Sequence, residues 1–331
     1  MKKINKIVVV GLGRQALHQI SLLNRFRPDI KIPYLIDDSI AAYYRFLDKF
    51  NNKFETSFST SISDAIKFSN PDLVYVSTLA DSHAEIAIEL IKCGYKKSII
   101  IEKPISNSLL KANSLKDKIL ESKWEGDIYI GFYRRSNELL KEVKKIILSK
   151  NLGTLNKINY NRTVELSTKG IHWIDLANWF INEKKLTASS ELFWDRPPGK
   201  RGAKILDPIC NLKVTYANEV EFNIIPATNP NKDKRIELGF SKGNIVINDN
   251  EDKAKIYFEN EEREINMPRS KEKSFLNFLN SIEERDPNLP KISEGIDALE
   301  TMFAAHMSDK LNKNISFPIN TNDAKFSLSI G

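Results

Sequence analysis

The sequence has few cysteines and few histidines. Cys93 and Cys210 are the two cysteines among 331 residues, and they lie far apart without the spacing of a metal-binding or redox motif. We therefore expect two buried free thiols in a reducing compartment. Only four histidines accompany them, so a zinc site of the alcohol-dehydrogenase kind is not expected and we predict no bound metal.

Long apolar runs are also missing. No stretch approaches the roughly 18–20 uncharged residues of a membrane-spanning helix, and the apolar run after the basic N-terminus stops at Gly11 without a small-residue cleavage site. The sequence thus predicts a cytoplasmic protein that does not bind membranes. Its formal net charge of +7 is scattered among acidic residues, which argues against nucleic acid as a partner. A mildly positive field would suit an anionic small molecule.

Short β-branched runs alternate with helical patterns in the first third of the chain, which predicts a parallel, doubly wound sheet. The predicted strands are Ile7–Val10, Pro33–Ile36, Leu73–Ser77, Ser98–Ile101 and Asp127–Phe132. The predicted helices are Ala16–Arg25, Ser39–Phe50, His83–Cys93 and Leu109–Ser122.

From about residue 136 onwards, strand-like runs follow one another, which is typical of an antiparallel sheet. The predicted fold class is α/β: a Rossmann domain over residues 1–132 and an α+β domain over residues 133–331 with a large, mainly antiparallel, open-faced sheet. Packing of the last helix, Ile292–Leu311, back on the Rossmann domain stays open. The uncovered face of the second sheet is a candidate dimer surface.

A glycine-rich loop, Gly11-Leu12-Gly13-Arg14-Gln15-Ala16, joins the first strand to the first helix. This G-x-G-x-x-A pattern is typical of dinucleotide binding, because its glycines permit a tight turn and a close approach of backbone to the pyrophosphate. Asp37 follows the second strand, where a carboxylate would accept the adenosine ribose hydroxyls and repel a ribose phosphate. We predict NAD, with NADP less favoured. The alternative is that Asp37 and Asp38 cap the next helix.

Polar residues follow the next two predicted strands of the sheet. Ser77 and Thr78 follow one, with His83 five residues after Thr78, and Glu102-Lys103-Pro104 follows the other. Ligands of doubly wound sheets gather beyond the carboxyl ends of the strands, so we expect Lys103 beside the nicotinamide. A surface lysine before a turn is the alternative.

The combination of motifs resembles the glucose-fructose oxidoreductase, inositol dehydrogenase and rhizopine-catabolism (Gfo/Idh/MocA) family along nearly the whole chain. The motifs are G-x-G-x-x-A, Ser77-Thr78 with His83, Glu102-Lys103-Pro104, Gly131-Phe-Tyr-Arg134-Arg135 and His172-Trp-Ile-Asp175. The resemblance implies an NAD(P)-dependent dehydrogenase or reductase that exchanges hydride with a secondary alcohol or ketone. It implies a sugar-like substrate (a sugar, inositol, sugar phosphate or nucleotide sugar) and a homodimer or homotetramer.

The resemblance also implies roles for individual residues. Lys103 and His172 would be catalytic, since oxidation of an alcohol needs a base for the hydroxyl proton. The cofactor would be held by Gly11, Leu12, Gly13, Arg14, Gln15, Asp37, Ser77, Thr78, His83, Glu102 and Lys103. The substrate would be held by Lys103, Arg135, Thr168, His172 and Asp175.

One position departs from the family pattern. The family has an aspartate four residues before the histidine, and this chain has Thr168 there, which cannot hold a base as a carboxylate would. Asp175 either takes part in catalysis, orients His172 or caps a neighbour. Of Arg134 and Arg135, one would clamp the substrate and the other would form an interdomain ion pair. Weaker candidates for substrate contact are Arg162, Lys169, Lys200 and Arg201.

A non-catalytic reading competes with the enzyme. Thr168 leaves open a sensor or partner subunit that binds a dinucleotide and a ligand without hydride transfer. Other dehydrogenase classes fit less well, because no Tyr-x-x-x-Lys pair follows the nucleotide-binding half as short-chain reductases require.

Overall fold

The computed structural model describes residues 3–51, 53–194, 207–227, 235–248, 250–267, 273–320, 325–328 and 330. The chain forms two compact units: Met1–Tyr133 with Glu272–Ile296, and Arg134–Lys271 with Asp297–Gly331. The domain boundary at residues 132 and 133 stays a prediction.

The strands and helices of the described residues alternate early in the chain and cluster later. The strands are β1 (Ile7–Val10), β2 (Tyr34–Ile36), β3 (Ser57–Ser59), β4 (Leu73–Val76), β5 (Ser98–Ile101), β6 (Ile128–Ile130), β7 (Leu155–Asn161), β8 (Lys185–Phe193), β9 (Ile209–Tyr216), β10 (Glu221–Ile225), β11 (Arg235–Phe240), β12 (Gly243–Asn248), β13 (Lys253–Phe258), β14 (Glu261–Asn266) and β15 (Ile315–Ser316). The helices are α1 (Arg14–Phe26), α2 (Ile40–Phe50), α3 (Ile62–Ser69), α4 (His83–Lys92), α5 (Leu109–Ser122), α6 (Glu138–Ser149), α7 (Ile171–Ile181), α8 (Ser274–Glu284) and α9 (Ile292–Leu311).

The first unit contains a six-stranded parallel sheet in the order β3-β2-β1-β4-β5-β6. All residues of β1 and β4 are buried, as helices covering both faces of a parallel sheet require. Helix α8 adds Phe275 and Phe278 to the core beside α1. The strand order reverses between β1 and β4, so a crevice for ligands opens at the carboxyl ends of these two strands.

The second unit contains a nine-stranded sheet in the order β14-β13-β12-β11-β7-β10-β9-β8-β15. Its neighbours are antiparallel except for the parallel pair β7 and β10. Burial alternates along β9 and β11, which indicates one packed face and one more exposed face. The fold class predicted from the sequence is therefore confirmed for both units.

The free side of β8 is partly covered by the last turns of α9. Beyond its two-residue pairing with β15, the amides of Ser190 and Leu192 donate to Ser308 Oγ at 3.0 Å and to Asp309 Oδ1 at 2.8 Å. These side chains supply the acceptors that a neighbouring strand would otherwise provide.

Several elements differ from the expectations. Strands β3, β14 and β15 and helix α3 were not predicted, and a π-helical turn, Leu166–Gly170, directly precedes α7. The prediction of two buried thiols is half right: both cysteines are free and Cys210 is buried, but Cys93 is only partly buried. None of the described helices is both long and apolar enough to cross a membrane.

Candidate functional site

The glycine-rich loop forms a tight turn between β1 and α1. Gly11 has a φ of +88°, and a Cβ atom there would lie 2.7 Å from the carbonyl oxygen of Ser77. Only glycine combines that backbone conformation with that close approach. The Gly11 amide donates to Ile36 at 2.7 Å and the Ser77 amide to Val10 at 2.7 Å, so the turn is fixed to strands on both sides of β1.

The outer part of the loop forms an open surface at a helix N-terminus. Gly13, Arg14 and Gln15 are exposed, whereas Ala16 is buried against the core. A Cβ atom on Gly13 would meet nothing closer than the Ser77 carbonyl at 3.9 Å, and no acidic residue lies in the first turn of α1. This surface, with the positive end of a 13-residue helix, fits the pyrophosphate of a dinucleotide.

Asp37 lies beside the same loop. Its Oδ2 accepts the Leu12 amide at 2.7 Å, and its Oδ1 accepts the Ser39 amide at 2.9 Å. A carboxylate has about four acceptor sites, so two remain for ribose hydroxyls. The alternative that Asp37 caps the next helix is supported in part, because the Ser39 amide that it accepts directly precedes α2. Asp38 is exposed.

His83 connects the segments that follow β4 and β5. The imidazole is buried, with Nδ1 2.8 Å from the carbonyl oxygen of Pro104 and Nε2 3.2 Å from that of Thr78. Burial lowers the pKa of His83 and outweighs the opposing effect of the two carbonyls. We assign the single N–H of the neutral ring to Nδ1, the closer contact. His83 therefore acts on the predicted cofactor segments through their backbone, and it positions the segment that carries Lys103.

Glu102 lies at the end of β5, with its carboxylate buried. Oε1 accepts two phenol hydrogen bonds, from Tyr75 at 2.7 Å and from Tyr133 at 2.5 Å. Burial and the neighbouring Glu102 charge raise the pKa of both tyrosines well above the usual value. Both phenols are therefore protonated donors at neutral pH. Lys103, the next residue, is partly exposed, and its peptide bond to Pro104 is cis.

In the second unit, Thr168 lies in the π-helical turn that leads into α7. The carboxylate of Asp207 binds this turn, accepting the Ser167 amide at 2.7 Å and the Thr168 amide at 2.8 Å. His172, the second residue of α7, is partly buried. The turn that holds Thr168 and leads into α7, which carries His172, is thus positioned by a carboxylate that sequence reasoning did not single out.

Arg135 and Asp175 bind each other. Arg135 Nη2 lies 2.7 Å from Asp175 Oδ1 and Nε lies 3.1 Å from Oδ2, and the two side chains are only 5% and 1% exposed. This bidentate pair indicates that Asp175 fixes α7 to the segment after β6. The predicted contacts of Arg135 and Asp175 with substrate gain no support from this geometry, because each charge is already satisfied inside the second unit.

Arg134 also pairs within the second unit. Its Nη2 lies 3.1 Å from Glu251 Oε1, and its guanidinium lies 4.4 Å from the ring centre of Trp173, which stacks on Tyr160. The expectation that one of the two arginines forms an interdomain ion pair is wrong, because Glu251 and Asp175 belong to the same unit as the arginines.

The predicted residues thus fall into two groups. The first unit brings the glycine loop, Asp37, Ser77, Thr78, His83, Glu102 and Lys103 to one edge of the parallel sheet. The second unit holds Thr168, His172, Arg135 and Asp175 around α7. Lys200 and Arg201 lie outside the described residues. Across the described ranges, no group of three or more histidine, cysteine or acidic side chains is placed to hold a metal ion.

Sequence reasoning missed Asp207, Tyr75 and Tyr133. Nothing local marks Asp207, because its contacts are with residues 39 and 40 positions away. Tyr75 did carry a signal, since a phenol inside a buried strand needs a hydrogen-bond partner. Tyr133 lies within the Gly131-to-Arg135 motif, but its contact with Glu102 depends on the folded chain.

Comparison with known proteins agrees with the fold. Residues 5–123 match the model of an oxidoreductase family with an NAD-binding Rossmann fold. No curated protein sequence matches the chain significantly.

Solved structures match over nearly the full length. An oxidoreductase from Agrobacterium radiobacter, in complex with NAD+, L-tartaric acid and magnesium, is 14% identical with a TM-score of 0.77, covering 95% of this chain and 98% of that one. A dehydrogenase from Chromobacterium violaceum, in complex with NADH and UDP-GlcNAcA, is 15% identical with a TM-score of 0.74 (97% and 98%). The regulator Gal80p from Saccharomyces cerevisiae, as a super-repressor mutant, is 14% identical with a TM-score of 0.76 (98% and 100%). At these identities the similarity shows the fold alone.

Proposed function

We infer, from the membership of residues 5–123 in the Gfo/Idh/MocA oxidoreductase family, that this protein exchanges hydride between a nicotinamide dinucleotide and a small polyhydroxylated substrate. The family resemblance and the NAD-binding Rossmann fold are confirmed by that match. The observation that carries the proposal is the Leu12-to-Asp37 hydrogen bond, which joins the phosphate-binding loop and the ribose-binding acid in one rigid unit.

We propose NAD as the cofactor. Gly13, Arg14 and Gln15 would face the pyrophosphate, and the remaining acceptor sites of Asp37 would bind the adenosine ribose. A negative charge held this close to the loop disfavours the extra phosphate of NADP. Ser77, Thr78 and the Glu102-Lys103 segment would contact the nicotinamide half, because they lie at the edge of the sheet on the far side of β1 from Asp37.

Chemically, the bound nicotinamide would supply the hydride acceptor or donor. Lys103, which His83 positions through the Pro104 carbonyl, would donate a hydrogen bond to the substrate hydroxyl or take up its proton. His172 would act as a second proton acceptor. Thr168 would donate or accept a hydrogen bond to a hydroxyl, and Asp207 keeps its backbone in place.

A sugar-like substrate is the finer part of the proposal. Proteins of the same fold have been crystallised with tartaric acid, with glycerol and with a UDP-sugar, and all three ligands carry hydroxyl groups. We propose a substrate of the same chemistry, acted on at a secondary alcohol or ketone. A cytoplasmic homodimer or homotetramer that binds neither nucleic acid nor membranes remains part of the proposal.

A non-catalytic ligand-binding protein is the second candidate. Two observations favour it: Thr168 replaces the aspartate that the family resemblance implies, and Gal80p, a transcriptional regulator in its structure titles, shares the fold. Such a protein would bind the dinucleotide and a ligand saturably without any change in cofactor absorbance.

Binding and turnover separate the two candidates. NADH fluorescence measures cofactor binding, and absorbance at the reduced-nicotinamide band measures hydride transfer across a panel of polyols and sugar acids. Gly13→Val is expected to abolish cofactor binding, because its side chain would occupy the open surface above the loop. Lys103→Ala is expected to keep binding but to lose at least about 100-fold in turnover.

Lys118→Ala provides the control, since Lys118 pairs with Glu121 on the surface of α5 and should change neither quantity. Unimpaired cofactor binding by Gly13→Val would contradict the proposed site. Saturable binding without turnover for any substrate in the panel would favour the sensor.

A further inference from the structure

Glu102 is a buried carboxylate without a cation partner. It is 7% exposed, and among the described residues no lysine, arginine or histidine forms an ion pair with it. Burial of an unpaired carboxylate is costly. Elsewhere in the first unit, the buried acid Glu283 is paired with Arg27 at 3.2 Å. Burial of the Glu102 carboxylate without a cation is thus not what the stability of the fold alone would favour.

Two phenols compensate for the missing cation. Tyr75 and Tyr133 both donate to Oε1, and hydrogen bonds to the ionised form favour that form. The tyrosine rings are fixed in turn by α8: Phe275 lies 5.2 Å from Tyr75 and 5.6 Å from Tyr133, centre to centre, and Phe278 lies 5.1 Å from Tyr133. The rings of the two donors are therefore packed in place beside the Glu102 carboxylate.

The position of this charge gives it a consequence. Glu102 directly follows β5, two strands from β1 on the side opposite β2 and Asp37. Because neighbouring strands lie about 4.8 Å apart, Glu102 is on the order of 10 Å from the glycine loop across the sheet. If Asp37 holds the adenosine end, the nicotinamide ring lies on the Glu102 side of the crevice.

We propose that the Glu102 carboxylate, which accepts hydrogen bonds from Tyr75 and Tyr133, makes the site selective for the oxidised form of the nicotinamide cofactor. The oxidised ring carries a positive charge and the reduced ring is neutral, so a fixed anion stabilises the oxidised form only. This inference rests on the proposed function, since it needs a dinucleotide in the site. It concerns the relative affinity for two redox forms and is independent of the substrate.

The test is the ratio of dissociation constants, Kd(NADH)/Kd(NAD+), measured by NADH fluorescence and by displacement with NAD+. Glu102→Gln keeps the shape and an acceptor for the phenols but removes the charge. We expect the ratio to fall about tenfold in Glu102→Gln, mainly through weaker NAD+ binding. Tyr95→Phe is the matched control, because Tyr95 is a buried tyrosine of the same unit that donates to the backbone of Ser98; its ratio should equal that of the wild type.

A second variant tests the role of the phenols. In Tyr75→Phe/Tyr133→Phe the buried carboxylate loses both phenol donors, and with them the hydrogen bonds that favour its charged form. The ratio at pH 7 should then fall towards that of Glu102→Gln. His83, which interacts electrostatically with Glu102, is present in all variants, so its contribution cancels in the comparison.

The outcomes are distinguishable. If neither NAD+ nor NADH binds the wild type, the proposed function fails. If both bind but Glu102→Gln keeps the wild-type ratio, only the present inference is overturned. Thermal melting identifies a variant that does not fold, and the double tyrosine variant then decides: a wild-type ratio overturns the inference and a lowered ratio supports it.

Discussion

Several acidic side chains have different partners in the two units. In the first unit Asp37 accepts the backbone amide of Leu12, Asp72 those of Asn5 and Lys6, and Glu283 that of Ile4. Asp72 and Glu283 also pair with Lys97 and Arg27, whereas Asp37 has no such cation among the described residues. In the second unit buried acids meet side-chain cations, as in Arg135 with Asp175 and Arg134 with Glu251.

This difference teaches where ligand chemistry is accessible. An acid that binds backbone amides fixes a loop and keeps acceptor sites for a ligand, as Asp37 does. An acid in a bidentate pair with arginine uses its charge for a contact within the fold. The edge of the parallel sheet is therefore prepared for a ligand, whereas the charges around α7 mainly hold the second unit together. Four substitutions test this contrast.

The largest effect is expected from Arg135→Ala. It removes the guanidinium that binds the buried Asp175 in a bidentate pair, which should cost about 3–5 kcal/mol in the free energy of unfolding measured with urea. Glu262→Ala is the control: Glu262 lies 2.6 Å from Lys255 in an ion pair on the exposed surface, and water screens such a pair so that its loss changes stability little. If both variants lost the same free energy of unfolding and Arg135→Ala bound substrate more weakly, Arg135 would be a substrate-binding residue after all.

Gly11→Ala tests the first unit. The left-handed conformation should cost about 1–2 kcal/mol and the clash with Ser77 about 1–3 kcal/mol more, with loss of NAD+ binding. Gly94→Ala is matched in backbone, with a φ of +84°, but has nothing within 4 Å of the added Cβ. It should show the conformational cost alone and bind NAD+ normally. Cofactor binding by Gly11→Ala at wild-type affinity would contradict the assignment of the loop.

Asp207→Ala probes an acid of the second unit that binds amides as Asp37 does. Losing the bonds to Ser167 and Thr168 should cost about 1–3 kcal/mol and speed hydrogen exchange at those two amides. Asp309→Ala removes a comparable bond to Leu192 and should speed exchange at Leu192 alone. Unchanged hydrogen-exchange rates at the Ser167 and Thr168 amides would show that the π-helical turn is stable without Asp207.

The effect that is smallest at neutral pH concerns acid stability. Burial lowers the pKa of His306 to about 4, against the opposing charges of Asp207 and Asp309. The unfolded chain therefore binds a proton below pH 6.5 that the folded chain does not bind until about pH 4. The contribution of His306 is complete above pH 6.5 and is lost as the pH falls towards 4. Urea unfolding at several pH values measures the free energy of unfolding between pH 4 and 6.5, and His306→Gln should make its dependence on pH weaker. An unchanged dependence would mean that other groups cause it.

Much of the first unit follows from local pattern. The helix Leu109–Ser122 and the strands Ile7–Val10 and Ser98–Ile101 have the predicted bounds, because their apolar residues repeat at the period of the element. Strand β3, with the sequence Ser-Phe-Ser, is too short to show a period, and β14 consists mostly of charged residues. Both take their conformation from a neighbouring strand, and such tertiary pairing leaves no local trace.

The candidate site divides in the same way. The glycine loop is readable from sequence because its role depends on backbone freedom at Gly11 and on its place between a strand and a helix. The partners of charged residues cannot be predicted from the sequence. Arg135 and Asp175 are 40 positions apart, and Arg134 pairs with Glu251, which lies between β12 and β13. Predicting such pairs requires the fold, which is why the structure reassigns the arginines and adds Asp207.

The two amide bonds of Asp37 bear on any attempt to re-engineer coenzyme preference. In the proposed site, replacing this acid by a small neutral residue would admit a 2′-phosphate, but it would also leave the Leu12 amide without this acceptor and loosen the turn that we assign to the pyrophosphate. A successful switch would need a substituent that still reaches Leu12, such as asparagine, together with a new cation farther out. One side chain would thus both repel the 2′-phosphate and hold the loop. A single substitution at Asp37 is therefore expected to weaken the loop whenever it changes the coenzyme preference.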